Sequence, residues 1–71
     1  MTDEQRAERR EVLTHVYNVM NNYGYNAINQ ITGYLVSGDE TYISTKDNAR
    51  SMIRKFDPDE LIEELLTEYF K

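Results

Sequence analysis

Three basic side chains, Lys46, Arg50 and Arg54, recur at every fourth position of the sequence. Side chains with this spacing lie on one face of a helix, so the three form a line of positive charge, which we call the basic stripe. An arginine guanidinium binds phosphate through two parallel hydrogen bonds. The basic stripe therefore has the chemistry to bind a phosphorylated segment.

Three glutamates repeat with the same spacing in the segment that follows: Glu60, Glu64 and Glu68. If the two segments form antiparallel helices, the acidic and basic side chains face each other. This arrangement predicts three ion pairs, Lys46–Glu68, Arg50–Glu64 and Arg54–Glu60. Exposed ion pairs contribute only about 0.2–1 kcal/mol each, so a solvated hairpin is the simpler interpretation of the basic stripe and a phosphate dock is the functional one.

Residue types needed for catalysis or for a metal site are scarce in this chain. His15 is the only histidine and there is no cysteine, so the sequence lacks a zinc ligand set and a histidine–cysteine pair. A Ser-His-Asp triad needs a shaped cleft and oxyanion donors, which so small a domain has little room to build. We predict a protein that is not an enzyme, with no catalytic residue, no metal site and no cofactor.

The chain has 71 residues and a formal net charge of −5, and both values restrict its partners. Negative charge opposes nonspecific binding to nucleic acid and to anionic lipid. A chain of this length buries roughly 60% of its unfolded surface and has no disulfide to stabilise it, so we expect a homodimer. No segment is apolar enough for a signal peptide or a membrane span, which predicts a cytoplasmic protein.

Apolar residues with a 3.6-residue period predict an all-α fold, a compact bundle of about four to five short helices. The apolar face of the first helix extends from Val12 to Tyr23, and Gly24 suits its end. Upstream of Val12, polar side chains occupy the same face. Residues 1–10 are therefore predicted to be a frayed, mobile polar tail, followed by one helical domain at 11–71.

The remaining helices are marked by the residues at their ends. Asn26 is suited to cap a second helix, which ends at Gly38. A third helix is expected to begin at 44–45, in the manner of a capping box. Asp57 and Pro58 then form a strong start for the last helix, because proline fits the first helical position.

Gly33 lies inside the predicted second helix, where glycine costs about 1 kcal/mol relative to alanine. That cost indicates a close approach, either within the fold or across a dimer interface. Tyr34 follows it, and tyrosine is enriched at interface hot spots. We expect exposed apolar area around Gly33 and Tyr34 to form the dimer surface.

Two other classes of protein stay open as alternatives. Short helices joined by glycine turns suit a helix-turn-helix DNA-binding regulator, although residues 28–36, the candidate reading helix, contain no lysine or arginine. The other alternative is a structural adaptor that is never phosphorylated.

Four segments resemble the IreB family of small regulatory phosphoproteins: GYNAINQITGYLVSGDETYI at 24–43, NAR at 48–50, IRK at 53–55 and DELIEELL at 59–66. The resemblance extends from about Val12 to Phe70. It implies an all-helical homodimer in the cytoplasm of low-GC Gram-positive bacteria. It also implies a substrate of a membrane Ser/Thr kinase with PASTA repeats, and of its phosphatase, that negatively regulates resistance to cephalosporins and cell-envelope stress through an unidentified downstream protein.

Three features depart from the family pattern. Ala27 and Glu40 stand where prolines are expected, and Thr32 replaces an apolar residue. The family's threonine motif in a longer N-terminal tail is missing, and Thr2 is the only threonine in the predicted tail. Thr2 is therefore the candidate phosphorylation site. Its phosphate is expected to bind the basic stripe or to repel an acidic partner.

Overall fold

The computed structural model describes residues 2–71. It contains four α-helices: α1 at Asp3–Asn22, α2 at Ala27–Ser37, α3 at Ala49–Ile53 and α4 at Pro58–Tyr69. Two short 3-10 segments, Glu40–Tyr42 and Lys46–Asn48, connect α2 to α3. Residues 2–71 form no strand, so the predicted all-α class is confirmed, while the homodimer stays a prediction.

Local sequence signals set the ends of α2 and the start of α4 as predicted. The Asn26 side chain accepts a hydrogen bond of 3.1 Å from the backbone N–H of Asn29, which satisfies one of the free donors at the start of α2. Gly38 ends α2 with a φ of 73°, a conformation that glycine adopts without steric cost. Pro58 occupies the first turn of α4 directly after Asp57.

The core is organised around α1, which packs against α2, α3 and α4, while α2 also packs against α4. The buried apolar side chains are Val12, Leu13, Val16, Val19, Met20, Ala27, Tyr34, Ile43, Ala49, Ile53 and Leu61. Burial of apolar surface is the dominant favourable term in folding. Within residues 2–71, no helix is both long and apolar enough to cross a bilayer.

The first helix begins earlier than the sequence predicts. Residues 3–10 continue α1, and Thr2 caps it. Arg9 is only 7% exposed, and Arg6 bonds to Glu64 in α4. The expectation that this segment lacks packing is therefore wrong, because ion pairs to α4 take the place of apolar contacts. The proposed division into a mobile tail at 1–10 and a domain at 11–71 concerns motion and stays a prediction; Met1 lies outside the described residues.

The third helix begins later than predicted, at Ala49 and not at 44–45. The cause is the preceding turn, in which Asp47 and Asn48 have φ values of 49° and 63°. Backbone with positive φ cannot continue a right-handed helix. His15 in α1 holds this turn, because its Nε2 donates a hydrogen bond of 2.7 Å to the carbonyl oxygen of Asp47.

Several tyrosines lie at the surface of the fold. Tyr17 of α1 is 41% exposed, Tyr23 directly after α1 is 49% exposed, and Tyr69 of α4 is 80% exposed. Their positions on the predicted apolar faces are correct, but the tertiary fold covers only part of those faces. The uncovered part is exposed to solvent.

Candidate functional site

Arg6 of α1 joins the first turns of the protein to the last helix. Its Nε donates to Glu64 Oε1 at 2.9 Å, and its Nη2 donates to Glu64 Oε2 at 3.2 Å. The same Nη2 lies 3.4 Å from Glu68 Oε2. Glu64 is 1% exposed, so its charge depends on this bidentate pairing, the strongest geometry available to a carboxylate and an arginine.

Arg9 makes a second connection, one turn further along α1. Its Nη2 bonds to Glu60 Oε2, and its guanidinium lies 5.4 Å from the centre of the Phe56 ring. Its Nε and Nη1 are buried and have no hydrogen-bond partner within residues 2–71. We call Arg6, Arg9, Glu60, Glu64 and Glu68 the ion-pair cluster.

Two carboxylates of the ion-pair cluster, those of Glu64 and Glu60, are held in the ionised form. The hydrogen bond from Arg6 lowers the pKa of Glu64 below its ordinary value of 4.5, although burial acts in the opposite direction. The hydrogen bond from Arg9 lowers the pKa of Glu60 in the same way. A general acid or base needs a pKa near the working pH, and the lowered pKa values of Glu60 and Glu64 move away from it.

Thr2 lies next to the ion-pair cluster, at the N-terminus of α1. Its Oγ1 accepts a hydrogen bond of 3.1 Å from the N–H of Gln5, and its own N–H donates to Gln5 Oε1 at 2.9 Å. This reciprocal pair is a capping box. The carbonyl oxygen of Thr2 accepts from the N–H of Arg6 at 3.0 Å, so the two residues are one helical turn apart.

The predicted pairing of the basic stripe with the glutamates of α4 is wrong. The glutamates bond to α1, because α4 packs against α1 and α2. The stripe residues have other partners: Arg50 Nε donates to the carbonyl oxygen of Ile43 at 2.9 Å, and Arg54 Nε lies 2.9 Å from Glu40 Oε2. Lys46 Nζ lies 6.0 Å from the centre of the Tyr23 ring.

The structure brings two of the three stripe residues to one cavity. Arg50 and Arg54 line a polar cavity of about 230 Å³, together with Glu40, Thr45 and Ser51. Lys46 does not line it. The two guanidiniums and two hydroxyls suit an anion, while the Glu40 carboxylate offsets one of the positive charges.

An apolar groove of about 390 Å³ runs between α1, α2 and α4. The residues lining it are Leu13, Thr14, Tyr17, Ile28, Ile31, Thr32, Leu35 and Leu65. Ile28 is 62% exposed and Leu65 is 43% exposed. Exposed apolar side chains gathered in one place are typical of a surface that binds a protein partner. We call this surface the apolar groove.

Comparison with known protein families identifies the family of this chain. The family model described as the IreB regulatory phosphoprotein matches residues 1–71, the full length of the chain. The chain belongs to the IreB family. Membership gives this IreB family member a regulatory role and confirms the resemblance seen in the sequence.

One of the two residues predicted at the dimer surface of this IreB family member is buried. Tyr34 is 4% exposed and belongs to the core, so its side chain supplies no exposed apolar area, whereas Gly33 is half-buried and the dimer surface itself stays a prediction. A Cβ atom added to Gly33 would lie 2.5 Å from Cε1 of Tyr42. The close approach predicted for Gly33 is therefore present, and it occurs inside the fold.

Sequence reasoning missed the arginines of the ion-pair cluster in this IreB family member. Arg6 and Arg9 project onto the same helical face as Val12 and Val16, and their polarity led to the expectation that the packed face ends before Val12. A stronger signal was available. Arginines on a core-facing arc, together with an unpaired series of glutamates elsewhere, indicate ion pairs between helices.

Proposed function

We propose that this IreB family member is a small non-enzymatic regulator that is phosphorylated by a PASTA-type Ser/Thr kinase of the cytoplasmic membrane. Acting in the cytoplasm through protein–protein contacts, it negatively regulates resistance to cephalosporins and cell-envelope stress. The observation that carries the proposal is the match to a regulatory phosphoprotein family along residues 1–71. The paired, ionised carboxylates of the ion-pair cluster support a role without catalysis.

Thr2 is the proposed phosphorylation site. It is exposed and precedes α1 with an extended backbone, φ −79° and ψ 164°, so its hydroxyl is open to solvent on one side. In the transfer, Thr2 Oγ1 forms a bond to the γ-phosphorus of ATP, the bond from that phosphorus to the bridging oxygen breaks, and ADP leaves. The hydroxyl proton passes to the catalytic base of the kinase. A phosphatase reverses the modification by hydrolysis.

The test is intact-mass spectrometry of the protein after incubation with the PASTA kinase of its host and ATP, followed by mapping of the modified residue. We expect one added phosphate on Thr2 and none on the Thr2→Val variant. The matched control is Thr14→Val, in the middle of α1, which is expected to be phosphorylated as the wild type is. No phosphate on the wild-type chain would overturn the proposal and favour an adaptor that is never phosphorylated.

The homodimer is part of the proposal, with the apolar groove as its surface and a second copy as its occupant. A stable interface buries about 800 Å² on each partner, a moderate part of the 4777 Å² exposed by one chain. Ile62 and Leu66 on the exposed side of α4 extend the apolar area beyond Leu65. Burial of this area adds the stability that a core of this size has difficulty supplying.

The downstream protein partner is proposed to bind at the cavity between Arg50 and Arg54, through a phosphate or carboxylate group. The DNA-binding alternative has little support. The α2 helix carries no basic side chain, and its Ile28 and Leu35 line the apolar groove.

A further inference from the structure

We propose that Arg6 is the phosphate-binding residue of this protein. A phosphate ester on Thr2 takes the Arg6 guanidinium from Glu64 and thereby loosens the contact of α4 with α1. The inference rests on the proposed modification of Thr2, and it adds the residue that binds the phosphate and the structural consequence.

Arg6 lies one helical turn after Thr2, which brings its guanidinium within reach of a phosphate on Thr2. Residues four apart in a helix have Cβ atoms about 5–6 Å from each other, and the Arg6 N–H already bonds to the Thr2 carbonyl oxygen at 3.0 Å. The phosphate adds a charge of about −1.5 to −2 at neutral pH. Arginine binds such a group through two hydrogen bonds, the geometry it now uses with Glu64.

Lys46 of the basic stripe is too far away to bind this phosphate within the same chain. Lys46 lies beside the ring of Tyr23, directly after the last residue of α1. At 1.5 Å per residue, Thr2 and Tyr23 are separated by about 30 Å along the helix axis. While α1 is folded, the Thr2 phosphate cannot dock on Lys46 of its own chain, and Arg54 of the stripe is already paired with Glu40.

Loss of Arg6 leaves Glu64 poorly compensated. Apart from Arg6, Arg10 lies near its carboxylate, with its Nε 4.0 Å from Oε2, and Arg9 contributes a weaker electrostatic attraction. A buried carboxylate that loses its hydrogen-bonded partner is costly. The new phosphate also repels Glu68, which shares Arg6 with Glu64. Both effects separate α4 from α1.

The loosening of α4 reaches the apolar groove through Leu65. Leu65 lines the apolar groove, and it also lines a neighbouring cavity of about 240 Å³ together with Glu64, Glu68 and Arg10. A shift of α4 therefore changes the shape of the groove. The opposite effect is expected in α1, because a phosphate at a helix N-terminus favours the helix. The loosening of the helix is thus expected in α4 and not in α1.

The experiment uses the full chain made by chemical ligation with phosphothreonine at position 2, compared with the unmodified chain. A phosphorus NMR titration follows the second ionisation of the phosphate. Contact with Arg6 stabilises the dianion, so we expect a lower phosphate pKa in the wild type than in Arg6→Gln. Arg10→Gln is the matched control and is expected to titrate as the wild type does. Hydrogen exchange of residues 58–69 is expected to be several-fold faster in the phosphorylated wild type, with that of residues 3–22 unchanged or slower.

Equal phosphate titration in wild type and Arg6→Gln would overturn the inference, and so would unchanged exchange in α4. Because the phosphate is installed chemically, the result is independent of the kinase. Failure of the kinase to modify Thr2 overturns the proposed function, whereas failure of the titration or exchange test overturns the role of Arg6 alone.

Discussion

Arg6 and Glu64 are 58 positions apart in the chain and are joined by hydrogen bonds of 2.9 and 3.2 Å. Through this pair, the first turns of α1 hold the middle of α4. The carboxylate is 1% exposed while the arginine side chain is 22% exposed. The connection is therefore open to solvent, and to competing anions, from the arginine side only.

Replacing Glu64 by glutamine is expected to destabilise the fold. The amide accepts fewer charge-assisted hydrogen bonds from Arg6, and hydrogen bonds to charged groups are worth about 1.5–3 kcal/mol when buried. Because solvent screens the arginine, we take the lower value, which corresponds to a fall of roughly 6–12 °C in Tm. The control is Glu63→Gln, whose side chain is exposed. Equal Tm values for the two variants in a thermal unfolding experiment would contradict the prediction.

Stability is expected to fall in acid through the ion-pair cluster. The folded-state pKa of Glu64 and of Glu60 is lowered from 4.5 by hydrogen bonds from arginine. The unfolded state therefore binds protons first, so the stabilisation is complete above about pH 4.5 and is lost as the pH falls through the lowered pKa values. Urea midpoints between pH 7 and pH 3 measure this loss. We expect a smaller loss in Glu64→Gln, and identical slopes for both proteins would refute the assignment.

Gly33→Leu is expected to destabilise the monomer because a side chain there meets the ring of Tyr42. Overpacking of this kind costs about 1–3 kcal/mol. In a Tyr42→Ala background, the same substitution finds space and is expected to cost less. A double-mutant cycle from urea unfolding measures this coupling. If the cost of Gly33→Leu were the same in both backgrounds, contact with Tyr42 would not be its cause.

If the apolar groove is the dimer surface, a single charge placed in it is expected to abolish the dimer. Ile28→Glu places a carboxylate on the proposed interface, and desolvation of an unpaired charge is expected to leave the variant monomeric at micromolar concentration. Val36→Glu is the matched control on the same helix, because Val36 is 83% exposed and does not line the groove. Sedimentation velocity decides between the outcomes. A wild-type chain that is monomeric, or an Ile28→Glu variant that still dimerises, would exclude this surface.

The cavity between Arg50 and Arg54 predicts weak binding of inorganic phosphate. Titration followed by nitrogen–proton NMR is expected to shift the Nε signals of both arginines. Arg54→Gln removes one of the two cations and is expected to weaken the response, while the exposed Lys55→Gln is expected to leave it unchanged. Arg54 is preferred to Arg50 as the test, because Arg50 also bonds to the backbone at Ile43. If Arg54→Gln and Lys55→Gln gave equal titrations, the cavity would not be a phosphate-binding site.

Elements fixed by neighbouring residues could be predicted from the sequence. The Asn26 cap, the left-handed Gly38 and the start of α4 at Pro58 all occur where expected. Each depends on a hydrogen bond or backbone angle within a few positions, so its energy is decided locally. The close approach at Gly33 could also be predicted, since a glycine inside a helix carries a local cost in stability.

Only the tertiary structure decided which arginines the glutamates of α4 bind. The four-residue spacing showed that Glu60, Glu64 and Glu68 share one helical face, but spacing within a helix carries no information about the helix opposite. The packing of α4 on α1 and α2, and not on the basic stripe, gave Arg6 and Arg9 their partners.

The burial of individual side chains could also be predicted only in part from the sequence. Tyr34 was expected at an exposed dimer surface and lies in the core, while Tyr17, on the apolar face of α1, is 41% exposed. Local pattern defines an apolar face, whereas the positions of the other helices decide how much of that face is covered. The sequence by itself therefore determined the all-α class, the ends of α2, the start of α4 and the family, and long-range packing determined the ion-pair cluster and the apolar groove.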